Sequence, residues 1–205
     1  MVQARWCGSK LIACNLLALI LLASWCWPPA RLLWDRFDAE VFHLLNAPLA
    51  SSAAWAHVWA VGSMRSADLG FGLIMLGFLV KGNWIFAAAQ VRQALYAFLA
   101  VLVLMLLIRA ELLTQVVRIM HWQRASPSLT VDGAVRLVDL FPDWSRSWHM
   151  KDAAGDSFPG DHASVLLTWA IFLSPVARGW RRWLVWLLAL LFILPRLVSG
   201  AHWLS

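Results

Sequence analysis

Five apolar runs, at about 11–27, 66–80, 93–112, 162–177 and 182–199, set the terms on which this chain can fold. Each is dense enough in Leu, Ile, Val, Phe and Ala to form a membrane-spanning helix. Several fall short of the ~20 residues that a perpendicular crossing takes, so their ends are expected to run into polar flanks. A water-soluble domain of 205 residues has too little interior for a chain that is 61% hydrophobic and only 14% charged. In a helical membrane protein much of that surface faces lipid. The expected fold is therefore all-α: a polytopic membrane helix bundle with five spanning helices, forming one membrane-embedded domain over 1–205. Tryptophan placement agrees, because Trp25, Trp27, Trp34, Trp84, Trp122, Trp180 and Trp183 flank apolar runs. There an indole buries its ring and keeps its N–H near water.

The chain opens with Arg5 and Lys10 ahead of an apolar stretch at 11–27, an arrangement that looks like a secretory leader. No small-x-small cleavage site follows, and Trp25-Cys26-Trp27-Pro28-Pro29 suits one poorly, so the stretch is read as an uncleaved first helix. Segment 51–61, with Trp55 and Trp59, is expected to lie at the interface or to lengthen the second helix. The longest polar stretch is about 114–161.

Charge placement gives the orientation. Segments 1–10, 81–92 and 178–182 contain Arg5, Lys10, Lys81, Arg92, Arg178, Arg181 and Arg182 without a single acid, and all eleven Asp and Glu fall in the alternate segments. Short, purely basic loops stay cytoplasmic. The N-terminus is then inside and the 114–161 stretch outside. A net charge of +6 also raises nucleic acid as a partner, but the basic residues punctuate apolar segments and form no stripe that would follow a phosphate backbone. No nucleic-acid partner is expected. Cys7, Cys14 and Cys26 show no ligand spacing.

Three clusters on the outer side carry chemistry: Gln123-Arg124-Ala125-Ser126-Pro127, Ser157-Phe158-Pro159-Gly160-Asp161-His162, and Pro195-Arg196 with Gly200-Ala201-His202-Trp203. Ser157 to Asp161 precedes an apolar run, where the free N–H groups of a helix start and its dipole favour an oxyanion. Gly160 permits close backbone approach, and Asp161 or Ser157 has the chemistry of a helix cap. Arg124 and Arg196 offer planar forks for phosphate oxygens. His162 and His202 add a nucleophile and a proton donor that work near neutral pH. His43, His57, His121 and His149 are read as solvated or hydrogen-bonded edge residues.

The order of these clusters resembles the type 2 phosphatidic acid phosphatase superfamily of membrane lipid phosphatases and phosphotransferases. Its signatures run Lys-x6-Arg-Pro, Pro-Ser-Gly-His and Ser-Arg-x5-His-x3-Asp. Arg196 and His202 are separated by five residues, as in the third, Pro159 and His162 match the ends of the second, and Arg124 matches the arginine of the first. The departures are Val117 at the first lysine's spacing, Pro127 displaced from Arg124, Gly160-Asp161 in place of Ser-Gly, and Pro195 in place of Ser. With Asp38, the Phe42 to Asn46 stretch, Arg65 and Asp68, they resemble the lipid A phosphotransferases within that superfamily.

The resemblance implies that His202 attacks phosphorus and becomes a transient phosphohistidine, while His162 gives and takes the proton. It implies that Arg124, Arg196, Ser157 and Gly160 hold phosphate oxygens, with Asp161 and Ser126 in support. The substrates implied are the membrane lipids undecaprenyl diphosphate, as donor, and lipid A, whose 1-phosphate accepts. The location implied is the inner membrane, with the site facing the periplasm. No metal or other cofactor is expected, since no acidic pair or His/Cys cluster has ligand spacing, and no protein partner is called for. The alternatives are a phosphatase for undecaprenyl diphosphate or another lipid phosphate, with water as acceptor, and an inactive membrane protein that keeps the fold. The third signature's Asp would fall one position past Ser205, with a sixth spanning helix beyond it. The chain is therefore expected to be C-terminally truncated relative to the family.

Overall fold

The computed structural model describes residues 7–155, 157 and 160–205. Arg5, Asp156, Phe158 and Pro159, used in the reading above, lie outside the described residues. Among the described residues the secondary structure is helical throughout.

Helix α1 (Gly8–Cys26) is apolar on every side, and only Trp25 of it is buried. A helix with no polar face suits lipid on all sides. Pro28 and Pro29 open α2 (Pro28–Asn46), where a missing N–H costs nothing. This second helix has no counterpart among the five apolar runs. Its buried residues are Asp38, Phe42 and Asn46, at four-residue steps along one face. Two of those three are polar, so an apolar periodicity does not reveal the face. Asn46 satisfies its whole amide there: Nδ2 donates to the carbonyls of Val135 and Val198, and Oδ1 accepts from Val135 N–H.

After a short turn at Pro48–Ser51, α3 (Ala53–Gly62) starts at Ser52, whose hydroxyl caps Trp55 N–H. The chain then breaks at Ser63 and Met64 and continues as α4 (Arg65–Val80), bent by 64° from α3. Segment 51–61 is thus mostly helical, and a corner sets it off from the helix at 65–80. Helix α5 (Ala88–Ile119) is 32 residues long and includes a π turn at Ile108–Leu113. The polar stretch beyond it holds only short helical pieces, Pro127–Thr130, Leu137–Leu140 and Pro142–Trp148. Helices α6 (Asp161–Leu173) and α7 (Trp180–Val198) complete the fold.

Two described helices, α1 and α5, are long and apolar enough to cross a membrane, and α3 with α4 makes a third if both arms count as one crossing. Five are not reached. Helix α6 has 13 residues, about 20 Å against the ~30 Å of a bilayer core. Helix α7 includes Arg181, Arg182 and Arg196. The protein is nonetheless a membrane protein in character, with large apolar side chains such as Leu11, Ile20, Leu69 and Leu104 more than 50% exposed.

Two buried clusters pack along α7, one against its middle and one against its last turn. One joins Met75 and Leu79 of α4, Phe98 of α5, Trp169 and Leu173 of α6, and Phe192 of α7. Trp169 Nε1 donates to Met75 carbonyl at 3.2 Å, which satisfies the indole inside this cluster. The other cluster joins Ala56 and Ala60 of α3 with Leu137, Met150 and Val198. Arg196 sits on α7 between Phe192 and Val198, where the clusters meet.

Candidate active site

A cavity of about 360 Å³ opens at this junction, lined by Asp68, Phe71, Gly72, Met75, Leu106, Lys151, Asp161, His162, Val165, Leu166, Arg196 and His202. Of the four side chains expected to converge, it brings together His162, His202 and Arg196. Arg124 does not line it.

The end of α7 explains how Arg196 and His202 reach one space. Gly200 adopts φ +73°, and the helix closes with Gly200 N–H on Leu197 carbonyl and Ala201 N–H on Arg196 carbonyl. This is a Schellman ending, which needs a left-handed residue. His202 N–H also reaches Arg196 carbonyl, at 3.2 Å. A Cβ on Gly200 would meet Phe42 Cε2 at 2.7 Å and Ser128 Cβ at 2.9 Å, so close packing demands glycine as well.

His202 is oriented through its ring. Nδ1 lies 2.9 Å from the Ser157 carbonyl. A carbonyl only accepts, so Nδ1 carries the proton and Nε2 keeps its lone pair. Burial pushes the His202 pKa below its ordinary 6.5, nearby Lys151 and Arg196 push the same way, and Ser157 carbonyl and Asp161 oppose them. Ser157 is itself fixed, since its N–H and its hydroxyl both donate to Arg124 carbonyl at 2.9 Å. Gly160 lies against the ring: a Cβ there would sit 3.7 Å from His202 Nδ1.

His162 stands in the first turn of α6, and its Nε2 donates to Phe192 carbonyl at 3.1 Å. Nδ1 faces Asp68 Oδ1 at 3.8 Å. Asp161 Oδ1 accepts from His162 N–H at 2.8 Å, so Asp161 occupies one free donor of the helix start. Ser157, the other candidate cap, spends its hydroxyl on Arg124.

Arg196 is 6% exposed. Nη1 donates to the carbonyls of Ser63 and Lys151, and Nη2 pairs with Asp68. Among the described residues three of the five guanidinium hydrogens are taken in this way, and Nε–H and one Nη2 hydrogen have no partner there. Ser63 carbonyl is available because the chain breaks there, and it accepts Lys151 N–H as well. Gly62 lets that corner press on α7, since a Cβ would come within 2.9 Å of Pro195 Cγ.

Arg124, expected at the phosphate, has its guanidinium elsewhere. Nη1 pairs with buried Asp38, Nη2 with Asp35 at 3.0 Å, and the plane lies 3.7 Å over the Trp203 ring. Its contribution to the cavity runs through its carbonyl, which holds Ser157. Ser126, fully buried, donates its hydroxyl to Ala201 carbonyl at 2.7 Å and accepts from Ala154 N–H at 2.7 Å. It knits the backbone beside His202 and does not face the cavity.

Asp68 and Lys151 line the cavity, yet sequence reasoning did not place either in the site. Asp68 had a readable signal: a carboxylate beside an apolar helical run is a functional candidate by default. Lys151, inside the long polar stretch, had none.

A buried cation held by a carboxylate, two histidines and a helix start around one cavity is an arrangement for phosphate chemistry. The sequence pattern of the PAP2 superfamily matches residues 97–205. The chain belongs to the PAP2 superfamily. It is 31% identical over 197 residues to lipid A 1-diphosphate synthase of Escherichia coli strain K12, an alignment that covers 96% of this chain and 79% of that protein. No solved structure matches the chain. As a PAP2 protein the chain is an enzyme of the lipid phosphatase and phosphotransferase kind.

Proposed function

We propose that this enzyme transfers the distal phosphate of undecaprenyl diphosphate to the 1-phosphate of lipid A through a phosphohistidine on His202. The observation that carries the reading is His202 Nδ1 committed to Ser157 carbonyl, with Nε2 given no hydrogen-bond partner among the described residues, in a cavity shared with His162 and Arg196. Similarity to a lipid A 1-diphosphate synthase over nearly the whole chain supports the choice of acceptor.

In the first half-reaction His202 Nε2 attacks the distal phosphorus and forms a P–N bond. The P–O bond to undecaprenyl phosphate breaks, and its oxygen takes a proton from His162. Nδ1 is the atom that carries this proton, since Nε2 is held by Phe192 carbonyl, and Asp68 beside it steadies the positive ring. The remaining hydrogens of Arg196 and the backbone near Gly160 take the non-bridging oxygens as charge develops. In the second half an oxygen of the acceptor phosphate attacks phosphorus, the P–N bond breaks, and His162 takes the acceptor's proton. Arg124 acts as a positioning residue, by holding Ser157.

The location that fits this reading is the inner membrane, with the cavity at the periplasmic face. The acid-free basic segments 81–92 and 178–182 then lie in the cytoplasm.

Labelled undecaprenyl diphosphate tests the proposal. The expected outcome is an acid-labile, base-stable phosphoenzyme that His202→Ala abolishes, and label that moves to lipid A when lipid A is added. Label retained on the His202→Ala protein would overturn the nucleophile. Rapid release of free phosphate without acceptor would make the enzyme a hydrolase.

A further inference from the structure

The first signature's lysine has no counterpart at its own spacing. Val117 stands there, 3% exposed and packed in the protein. The cavity has a lysine all the same, from the long polar stretch: Lys151.

Its backbone is pinned on both sides. Lys151 N–H donates to Ser63 carbonyl at 3.2 Å, and Lys151 carbonyl accepts from Arg196 Nη1 at 3.0 Å. The next residue, Asp152, is 2% exposed, pairs with Arg136 at 3.2 Å, and accepts from Val138 N–H at 3.1 Å. Asp152 carbonyl also accepts from Ser128 hydroxyl at 2.7 Å. The side chain is in the opposite situation. It is exposed, lines the cavity, and has no ion pair among the described residues. Arg124, by contrast, has spent its guanidinium on two carboxylates and an indole.

Beside Arg196 this ammonium adds to the positive potential of the cavity, which favours an anion there. Of the two carboxylates in the lining, Asp68 is paired with Arg196, and Asp161 accepts His162 N–H and feels the charge of Lys151 with no ion-pair contact to it among the described residues. We infer that Lys151 is a phosphate-binding residue of this site: it and Arg196 together grip the phosphoryl oxygens, Arg196 from the buried wall and Lys151 from the exposed one. The inference rests on the function proposed above. A hydrated ammonium on a flexible stem follows a group that arrives and leaves, where a locked guanidinium cannot.

Inorganic phosphate is the probe, titrated calorimetrically into the full chain in detergent, so that the readout does not depend on turnover. Lys151→Met should weaken binding roughly ten- to hundred-fold, the loss of a charged hydrogen-bond partner. Lys151→Arg, which restores the charge, should bind within about threefold of the parent. Lys151→Gln serves as a second neutral variant, and thermal unfolding of each checks that the fold is kept. Binding by both neutral variants within about twofold of the parent would overturn the inference, as would equal weakening in Lys151→Arg. His202→Ala separates the two levels of argument. If it still forms a phosphoenzyme while Lys151→Met loses phosphate, the proposed reaction falls and the binding site stands.

Discussion

His202 Nδ1 donates to the backbone carbonyl of Ser157 across 2.9 Å. A carbonyl oxygen has no proton to offer, so the contact selects one tautomer and points the other nitrogen's lone pair away from it. The orienting acceptor belongs to the loop that leads into α6, so the two histidines are placed by one piece of chain.

The pH profile of phosphoenzyme formation follows from the burial of His202. Attack needs the neutral ring, and burial holds its pKa below the ordinary 6.5. The rate should therefore be maintained as pH falls to that value and decline only below it. An acidic limb centred above the ordinary histidine value would contradict this.

Asp68→Asn keeps the shape of the side chain and removes the charge that holds Arg196 and faces His162. The expected effect is a fall of roughly 10²-fold in kcat, the scale of lost acid–base help. KM for the donor should change much less. Single-turnover and steady-state assays distinguish the two, and a kcat loss under about threefold would argue against a role for Asp68.

Gly200→Ala should destabilise the protein by about 2 kcal/mol or more, from the left-handed backbone and from overpacking against Phe42 and Ser128. Activity should fall even where the fold survives, because His202 lies just beyond the turn. Gly70→Ala is the control: nothing lies within 4 Å of the new methyl, and helix propensity favours it by up to about 1 kcal/mol. Thermal unfolding in detergent compares them.

Arg124→Ala leaves Asp38 buried without its cation. The cost should be about 3–5 kcal/mol, the scale for breaking a buried pair. Folded protein that remains should bind inorganic phosphate as the parent does, since Arg124 is off the cavity. A calorimetric titration showing phosphate binding abolished in folded Arg124→Ala would place its guanidinium at the ligand.

Much of this was legible in the residues. The apolar runs located α1, α4, α5, α6 and α7, because helices that face lipid or a dry core announce themselves by composition. Helix α2 did not, since its inward face is Asp38, Phe42 and Asn46, and polar residues bonded to backbone leave no apolar stripe. The sequence also offered no way to rank Arg124 against Arg196. Each precedes a proline or follows one near an apolar run, and only their partners differ. Lys151 was silent for a related reason: what distinguishes it is the bonding of its backbone, and any side chain would leave the same trace.

The corner between α3 and α4 has a mechanical implication. One carbonyl, that of Ser63, receives both the loop that presents Lys151 and the guanidinium of Arg196. An unpaired peptide oxygen is tolerated near lipid only while such donors cover it. Straightening the corner would withdraw that shared anchor from the Lys151 backbone and from one Arg196 nitrogen at once. The bend thus registers the two cationic segments against each other, as a single peg holds two boards.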